Sequence, residues 1–239
     1  MSSKRLASLF LMIVCWGSPV TAAAASLACE TFPTPPEESK TFRVEPARPY
    51  RKGDDPLKPA VILLEEYLSH ARAPKKAAVI TLDVLPGGQA LRTEMGGLKM
   101  EAPFSFPDTM NEALTGLTER ITAEEGKRLD AKKLLPFLNE TRSPLAYLRY
   151  ADGALALKSG DFQRAAAAFE EAIHSDYNYV FAYAGLAEAQ AGLALRTGSE
   201  ELKTRARANL QKAKLLNPYR AKIREERVNF YLKARCGKT

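Results

Sequence analysis

Histidine and cysteine, which often serve in catalysis and metal binding, are scarce in this chain of 239 residues. There are two histidines, His70 and His174, and neither has a second ligand at metal spacing. Neither Cys29 nor Cys236 lies near a histidine in sequence, so no activated thiol is indicated. The glycine-containing turns lack the lysine or the strand-to-helix context of a phosphate loop. The sequence therefore predicts a protein that is not an enzyme, with no catalytic residues, no metal and no cofactor.

Long apolar runs are also missing after the first 25 residues. Lys4 and Arg5 precede the apolar run LASLFLMIVCW, and small residues follow at Ala23 and Ala25. This layout is typical of a secretory signal peptide, and a retained membrane anchor is the alternative. We expect residues 1–25 to be removed, leaving a periplasmic or secreted bacterial protein without a transmembrane span.

Cleavage would leave two cysteines, Cys29 and Cys236, near opposite ends of the mature chain. In an oxidising compartment such a pair can form a disulfide, and this is the simplest use for both. The alternative is a lipid on Cys29, which would make the protein an outer-membrane lipoprotein. Ser26 stands where such signals usually have leucine, so we favour the disulfide.

Two segments precede the main helical region. Residues 26–59 are rich in proline and read as an extended arm, with a short strand at TFRVE. Residues 60–142 predict a small α+β region that contains an amphipathic helix, a β-hairpin and a second helix. The hairpin turns at Pro86-Gly87-Gly88. The second helix has Asp108 as its cap and four apolar residues at helical spacing: Met110, Leu114, Leu117 and Ile121.

Residues 143–239 predict helical hairpins. Small residues at Gly153 and Ala165 allow two helices to touch, Phe162 and Phe169 fill the space between them, and Gly160-Asp161 reverses the chain. Ser143-Pro144 starts the first helix, and Asn217-Pro218 ends a second copy of the plan. The fold class is therefore mainly α, with two helical hairpins and a C-terminal helix after a small α+β region.

This spacing resembles the tetratricopeptide repeat family, whose unit has about 34 residues. The wording FEEAIHSDYNYVFAYAGLAEA is similar to the repeats that follow TolB-like domains in bacterial regulators. The resemblance covers residues 143–235. Residues 77–125 look like the end of a TolB-like domain, although this part is short. The regulators' kinase, cyclase or DNA-binding effectors are not seen in this sequence, so their outputs are not carried over.

The resemblance also implies a partner-binding groove, because the family lines its concave face mainly with the first helix of each hairpin. The matching positions here are Tyr147, Tyr150, Ala154, Leu157, Lys158, Phe181, Ala184 and Glu188. Aromatic side chains at such positions are suited to anchoring a partner. The alternative is that Tyr147, Tyr150 and Phe181 pack on the upstream region instead.

Positive charge is concentrated at one end of the chain. The net charge is +7, yet residues 196–239 hold 13 Lys or Arg against 4 Asp or Glu, which leaves +9 there. A basic surface at Arg220, Lys222, Arg224 and Arg227 would attract an acidic protein or an anionic surface. The alternative is a charged closing helix that keeps the last repeat soluble. No reading helix or aromatic stripe indicates nucleic acid.

Together these features favour an exported, non-enzymatic scaffold that binds a protein or peptide in the cell envelope. A sensor or accessory subunit of an envelope complex, with a small-ligand or anionic-surface role, is the alternative. Peripheral attachment to an anionic surface is compatible with both.

Overall fold

The computed structural model describes residues 32–33, 35, 42–53, 55–69, 78–124 and 141–235. The predicted signal peptide, Cys29, Cys236 and His70 lie outside the described residues. Within the described ranges the chain is mainly helical, with seven helices and a small sheet of four strands. None of the described helices is both long and apolar enough to cross a bilayer.

The four strands of the sheet all lie in the first half of the chain. Its strands are β1 (Phe42–Pro46), β2 (Ala78–Val84), β3 (Ala90–Met95) and β4 (Leu98–Pro103), in that spatial order. β1 pairs parallel with β2 across helix α1 (Leu57–Ser69), while β2, β3 and β4 form an antiparallel meander. β1 is the short strand expected at TFRVE within the extended arm, and it forms one edge of the sheet. The β2–β3 hairpin confirms the predicted one, and Leu91 lies opposite Val84.

One face of the sheet is apolar because alternate residues of each strand point to the same side. Val44, Ile80, Leu82, Leu91 and Met100 are buried there. Helix α1 contacts β1 and β2, helix α2 (Met110–Glu124) contacts β4, and the two helices contact each other. The four apolar residues predicted for α2 are all buried, as the helical period requires.

Five further helices follow. They are α3 (Pro144–Lys158), α4 (Phe162–Ser175), α5 (Val180–Thr197), α6 (Glu200–Leu216) and α7 (Pro218–Lys233). Each packs on the next, and short connections make consecutive helices run in alternating directions. We call this group the helical array.

Side-chain caps set the helix limits. Ser143, Asp161 and Ser199 each accept a hydrogen bond from a backbone N–H in the first turn of α3, α4 and α6. Asn217 ends α6 and caps α7 through the N–H groups of Tyr219 and Arg220. The chain therefore turns from α6 into α7 at a single residue.

Helices in the array approach closely where glycine removes a side chain. A Cβ added to Gly153 would lie 2.7 Å from the ring of Phe169, and one added to Gly185 would lie 2.5 Å from the same ring. Phe169 of α4 is therefore wedged between α3 and α5. The small residues Gly153 and Ala165 predicted a close contact between two helices at this place. Gly185 adds a second close approach to the Phe169 ring.

Candidate functional site

The residues expected to line a partner groove are brought together, but they lie inside the molecule. Seven of the eight are at most 6% exposed, namely Tyr147, Tyr150, Ala154, Leu157, Phe181, Ala184 and Glu188. Only Lys158 is exposed, and it forms an ion pair with Glu65 of α1. We call this surface of α3 and α5 the inner face.

The chain itself covers the inner face. Helix α1 contacts α3, and helix α7 contacts α5. The ring of Tyr67 in α1 stacks on Phe181 at 6.1 Å between centroids, and the Arg220 guanidinium of α7 lies 4.5 Å from the centre of Tyr67. An accessible aromatic groove at Tyr147, Tyr150 and Phe181 is therefore not present. The alternative considered from sequence, packing on the upstream region, describes their positions.

A polar chain crosses the same core. The Tyr67 hydroxyl donates to Asn111 Oδ1 of α2 at 2.8 Å, and Asn111 Nδ2 donates to the Tyr147 hydroxyl at 2.7 Å. All three side chains are buried. Because buried polar groups are costly unless they are paired, these bonds favour one arrangement of α1, α2 and α3.

A buried group of charges lies where α1, α3, α5 and α7 meet. We call it the inner ion cluster, and its members are Glu66, Tyr150, Glu188, Arg224 and Arg227. Arg224 Nη1 donates to Glu188 Oε2 at 2.6 Å, and its Nη2 donates to Glu66 and, at 3.0 Å, to the Tyr150 hydroxyl. The Tyr150 hydroxyl in turn donates to Glu66. Arg224 thus joins three helices besides its own.

Glu188 is the most enclosed carboxylate of the cluster, since it is 0% exposed. Besides Arg224, Glu188 forms an ion pair with Arg227, whose Nε lies 2.6 Å from Glu188 Oε1. The angle between the two groups is not that of a hydrogen bond. Two guanidinium groups therefore compensate one buried carboxylate, as an acid in such surroundings requires.

The cluster changes the proton affinities of its members. Burial raises the pKa of the Tyr150 hydroxyl well above its ordinary value; the charge of Arg224 opposes this rise, and Glu66 adds to it. Burial by itself would lower the pKa of Arg224, but Glu66 and the other acceptors around it outweigh this and raise the pKa well above its ordinary value. Tyr150 therefore stays neutral and Arg224 stays charged at physiological pH.

The four residues of the predicted basic surface do not form one exposed surface in the structure. Arg220 and Arg224 are buried, at 2% and 6% exposed, and do not belong to an accessible surface. Arg227 is half-buried and paired with Glu188, so Lys222 is the one exposed residue of these four. The physical reason is that positions 220, 224 and 227 share the face of α7 that packs into the array.

Glu66 was not among the residues that the sequence predicted for a site, although it is part of the inner ion cluster. Glu188 was predicted to line a groove, but its partners on α7 were not predicted. One available signal was the run of small and apolar residues on both sides of Glu188 in α5, since a helix that is apolar all round is buried. Another was the spacing of Arg220, Arg224 and Arg227.

His174 lies at the exposed end of α4, where its Nδ1 lies 2.8 Å from the Glu170 carbonyl oxygen. Among the described residues, no three His, Cys, Asp or Glu side chains gather as a metal site.

Comparison of the chain with protein-family models, with curated proteins and with solved structures gave no match.

Proposed function

We propose that the chain is a non-enzymatic interaction scaffold of tetratricopeptide type, exported to the cell envelope, whose inner face binds an arginine-bearing helix. The observation that carries this proposal is the seating of α7. Its Arg224 reaches Glu66, Tyr150 and Glu188, so the inner face already holds a helix.

The repeat type is supported by the close contacts of the array. Gly153 and Gly185 lie against Phe169, and consecutive helices pack in pairs. These are the contacts that the resemblance implies for helical hairpins, and they fix the inner face that a partner would use.

The chemistry of the inner face defines the partner. A guanidinium group fits between Glu66 and Glu188 because its fork of donors can meet both carboxylates, whereas a lysine presents one point charge. Aromatic rings then cover the remaining arginine, as Tyr67 and Phe181 do for Arg220. A protein or peptide partner would need arginines at the spacing of Arg220, Arg224 and Arg227 in one helix, and it would replace α7.

Loosening α7 should therefore increase binding. Val228→Ala removes a fully buried anchor of α7 but leaves every charge of the inner ion cluster paired. Lys233→Ala changes an exposed residue of the same helix and serves as the control. In affinity capture from envelope extracts, Val228→Ala should retain several-fold more of a specific partner than the wild type or the control. Equal recovery from all three proteins would refute a role for α7.

The sensor or accessory-subunit function is a second candidate, favoured by one observation. Helix α1 of the sheet region contributes Glu65 to Lys158 and Glu66 to Arg224, so a change in α7 reaches the sheet through α1. In this candidate, a small molecule that binds the sheet region would alter partner capture without competing for the inner face.

A further inference from the structure

Exposed apolar side chains concentrate at one end of the helical array. The described residues include six large apolar side chains that are well exposed. Four of them are Leu145 and Tyr219 at the starts of α3 and α7, Leu215 at the end of α6, and Tyr177 in the turn between α4 and α5. Because consecutive helices alternate in direction, these positions share one end, which we call the end face.

The corner between α6 and α7 is the most prominent part of the end face. Leu215 is 73% exposed and Tyr219 is 57% exposed, on either side of the buried cap Asn217. Asn217 Oδ1 accepts hydrogen bonds from the backbone N–H groups of Tyr219 and Arg220 and holds this corner, so the exposed pair lies on a fixed turn.

Lysines flank the exposed pair. Lys212 lies three residues before Leu215 on α6, and Lys222 lies three residues after Tyr219 on α7, so each shares a face with its apolar neighbour. Both are exposed, and neither forms an ion pair with a described carboxylate. Lys214 pairs with Glu225, and exposed Glu226 lies one further turn from the corner than Lys222.

We infer that the end face binds the surface of a membrane that contains anionic phospholipid, with Leu215 and Tyr219 at the interface and Lys212 and Lys222 at the phosphates. Tyrosine and leucine suit the boundary between headgroups and acyl chains, and nearby lysines are attracted by anionic lipid. Lys212 and Lys222 lie one helical turn farther from the end of the array than Leu215 and Tyr219. In a bilayer the phosphates likewise lie outside the acyl chains, so both kinds of side chain would meet their preferred layer.

A second copy of the chain fits this surface less well. A two-fold contact would bring Lys212 and Lys222 of both copies together, and like charges at short distance oppose each other. The membrane inference concerns the chain with α7 seated on the inner face, because Tyr219 and Lys222 belong to that helix, and it does not require a partner.

Vesicle flotation tests this inference. The wild-type chain and its variants are mixed with vesicles of phosphatidylglycerol and phosphatidylcholine in equal parts, or of phosphatidylcholine alone. The difference between the two vesicle types measures anionic binding, and any contribution of residues 1–25 is common to all variants. Circular dichroism confirms that each variant is folded.

We expect the wild type to favour anionic vesicles. Lys212→Glu with Lys222→Glu should weaken binding by about 25-fold or more, since each lysine contributes about fivefold. Leu215→Ser with Tyr219→Ser should leave binding at low salt and lose it at physiological salt. Leu98→Ser, at an exposed apolar position on the sheet, should bind like the wild type.

Equal binding to both vesicle types, no binding, or anionic binding that survives both double variants would overturn the inference. Capture of soluble polyglutamate through Lys212 and Lys222, with no vesicle binding, would show instead that the end face takes an acidic protein.

Discussion

The substitution Glu188→Gln tests whether the inner ion cluster is as enclosed as its burial indicates. Glu188 is 0% exposed and faces two arginines. An amide keeps the shape of the side chain but removes its charge, so the arginines lose their shared counter-charge. Breaking a buried ion pair by changing one partner costs about 3–5 kcal/mol.

The lower part of that range applies here. Arg224 keeps Glu66 as a partner, and the side chain of Arg227 is 33% exposed and can regain water. We therefore expect a loss of about 3 kcal/mol in the free energy of unfolding. For a chain of this size, that loss lowers Tm by about 6–12 °C.

Urea denaturation and a thermal melt of the same samples measure this loss. Glu225→Gln is the matched control, because it breaks a half-buried pair with Lys214 and should cost less than about 1 kcal/mol. Arg224→Ala should cost more than Glu188→Gln because it removes a guanidinium from both Glu66 and Glu188, and Arg227→Ala should cost less. A Glu188→Gln variant within about 1 kcal/mol of the wild type would refute the reasoning, as would a reversed order of the three substitutions.

Three other outcomes are expected. Gly185→Ala should cost about 1–3 kcal/mol in urea denaturation because its Cβ would lie 2.5 Å from the Phe169 ring, whereas Gly116→Ala, with no atom within 4 Å of the added Cβ, should stabilise α2 by up to about 1 kcal/mol; equal effects would exclude the close contact. Burial would raise the pKa of Asp55, but hydrogen bonds from Arg48 and the Arg51 and Leu57 N–H groups lower it below its ordinary 3.8. The stability that Asp55 adds is therefore present above pH 3.8 and is lost as pH falls through the lower pKa of the folded state. The stability difference between the wild type and Asp55→Asn should therefore shrink below about pH 4, and a difference that grows there would contradict this reasoning. Finally, non-reducing peptide mapping of exported protein should join Cys29 to Cys236, because these are the two cysteines that follow the predicted signal peptide and an oxidising compartment favours their pairing; two free thiols, or a lipid on Cys29, would contradict the pairing.

Local signals in the sequence predicted much of the fold. Ser143-Pro144, Asp161 and Asn217 mark helix limits because a cap acts within three residues of its position. The β2–β3 hairpin followed from alternation and the Pro86-Gly87-Gly88 turn. Strand β4 was missed because LKMEAP has few β-branched residues, although Gly96-Gly97 is a hairpin turn signal.

The inner face could not be predicted in the same way. Arg224 meets Glu188 and Glu66, which lie 36 and 158 residues away in sequence. Charge counts and helical spacing locate Arg224 on a face of α7, but they do not say which surface covers that face. The parallel pairing of β1 with β2 has the same cause, because its partner lies beyond a whole helix. The family assignment and the exported location stay predictions.

The most direct test of the inner face measures how a labelled peptide of residues 218–235 binds by fluorescence anisotropy. The peptide should bind the Val228→Ala protein, in which α7 is loosened, and bind the wild type at least several-fold more weakly. A peptide with Arg224→Gln should lose binding because the guanidinium that meets both Glu66 and Glu188 would be missing, although Arg227 could still face Glu188. Equal binding of both peptides, or no binding to the Val228→Ala protein, would contradict an inner face that accepts an arginine-bearing helix.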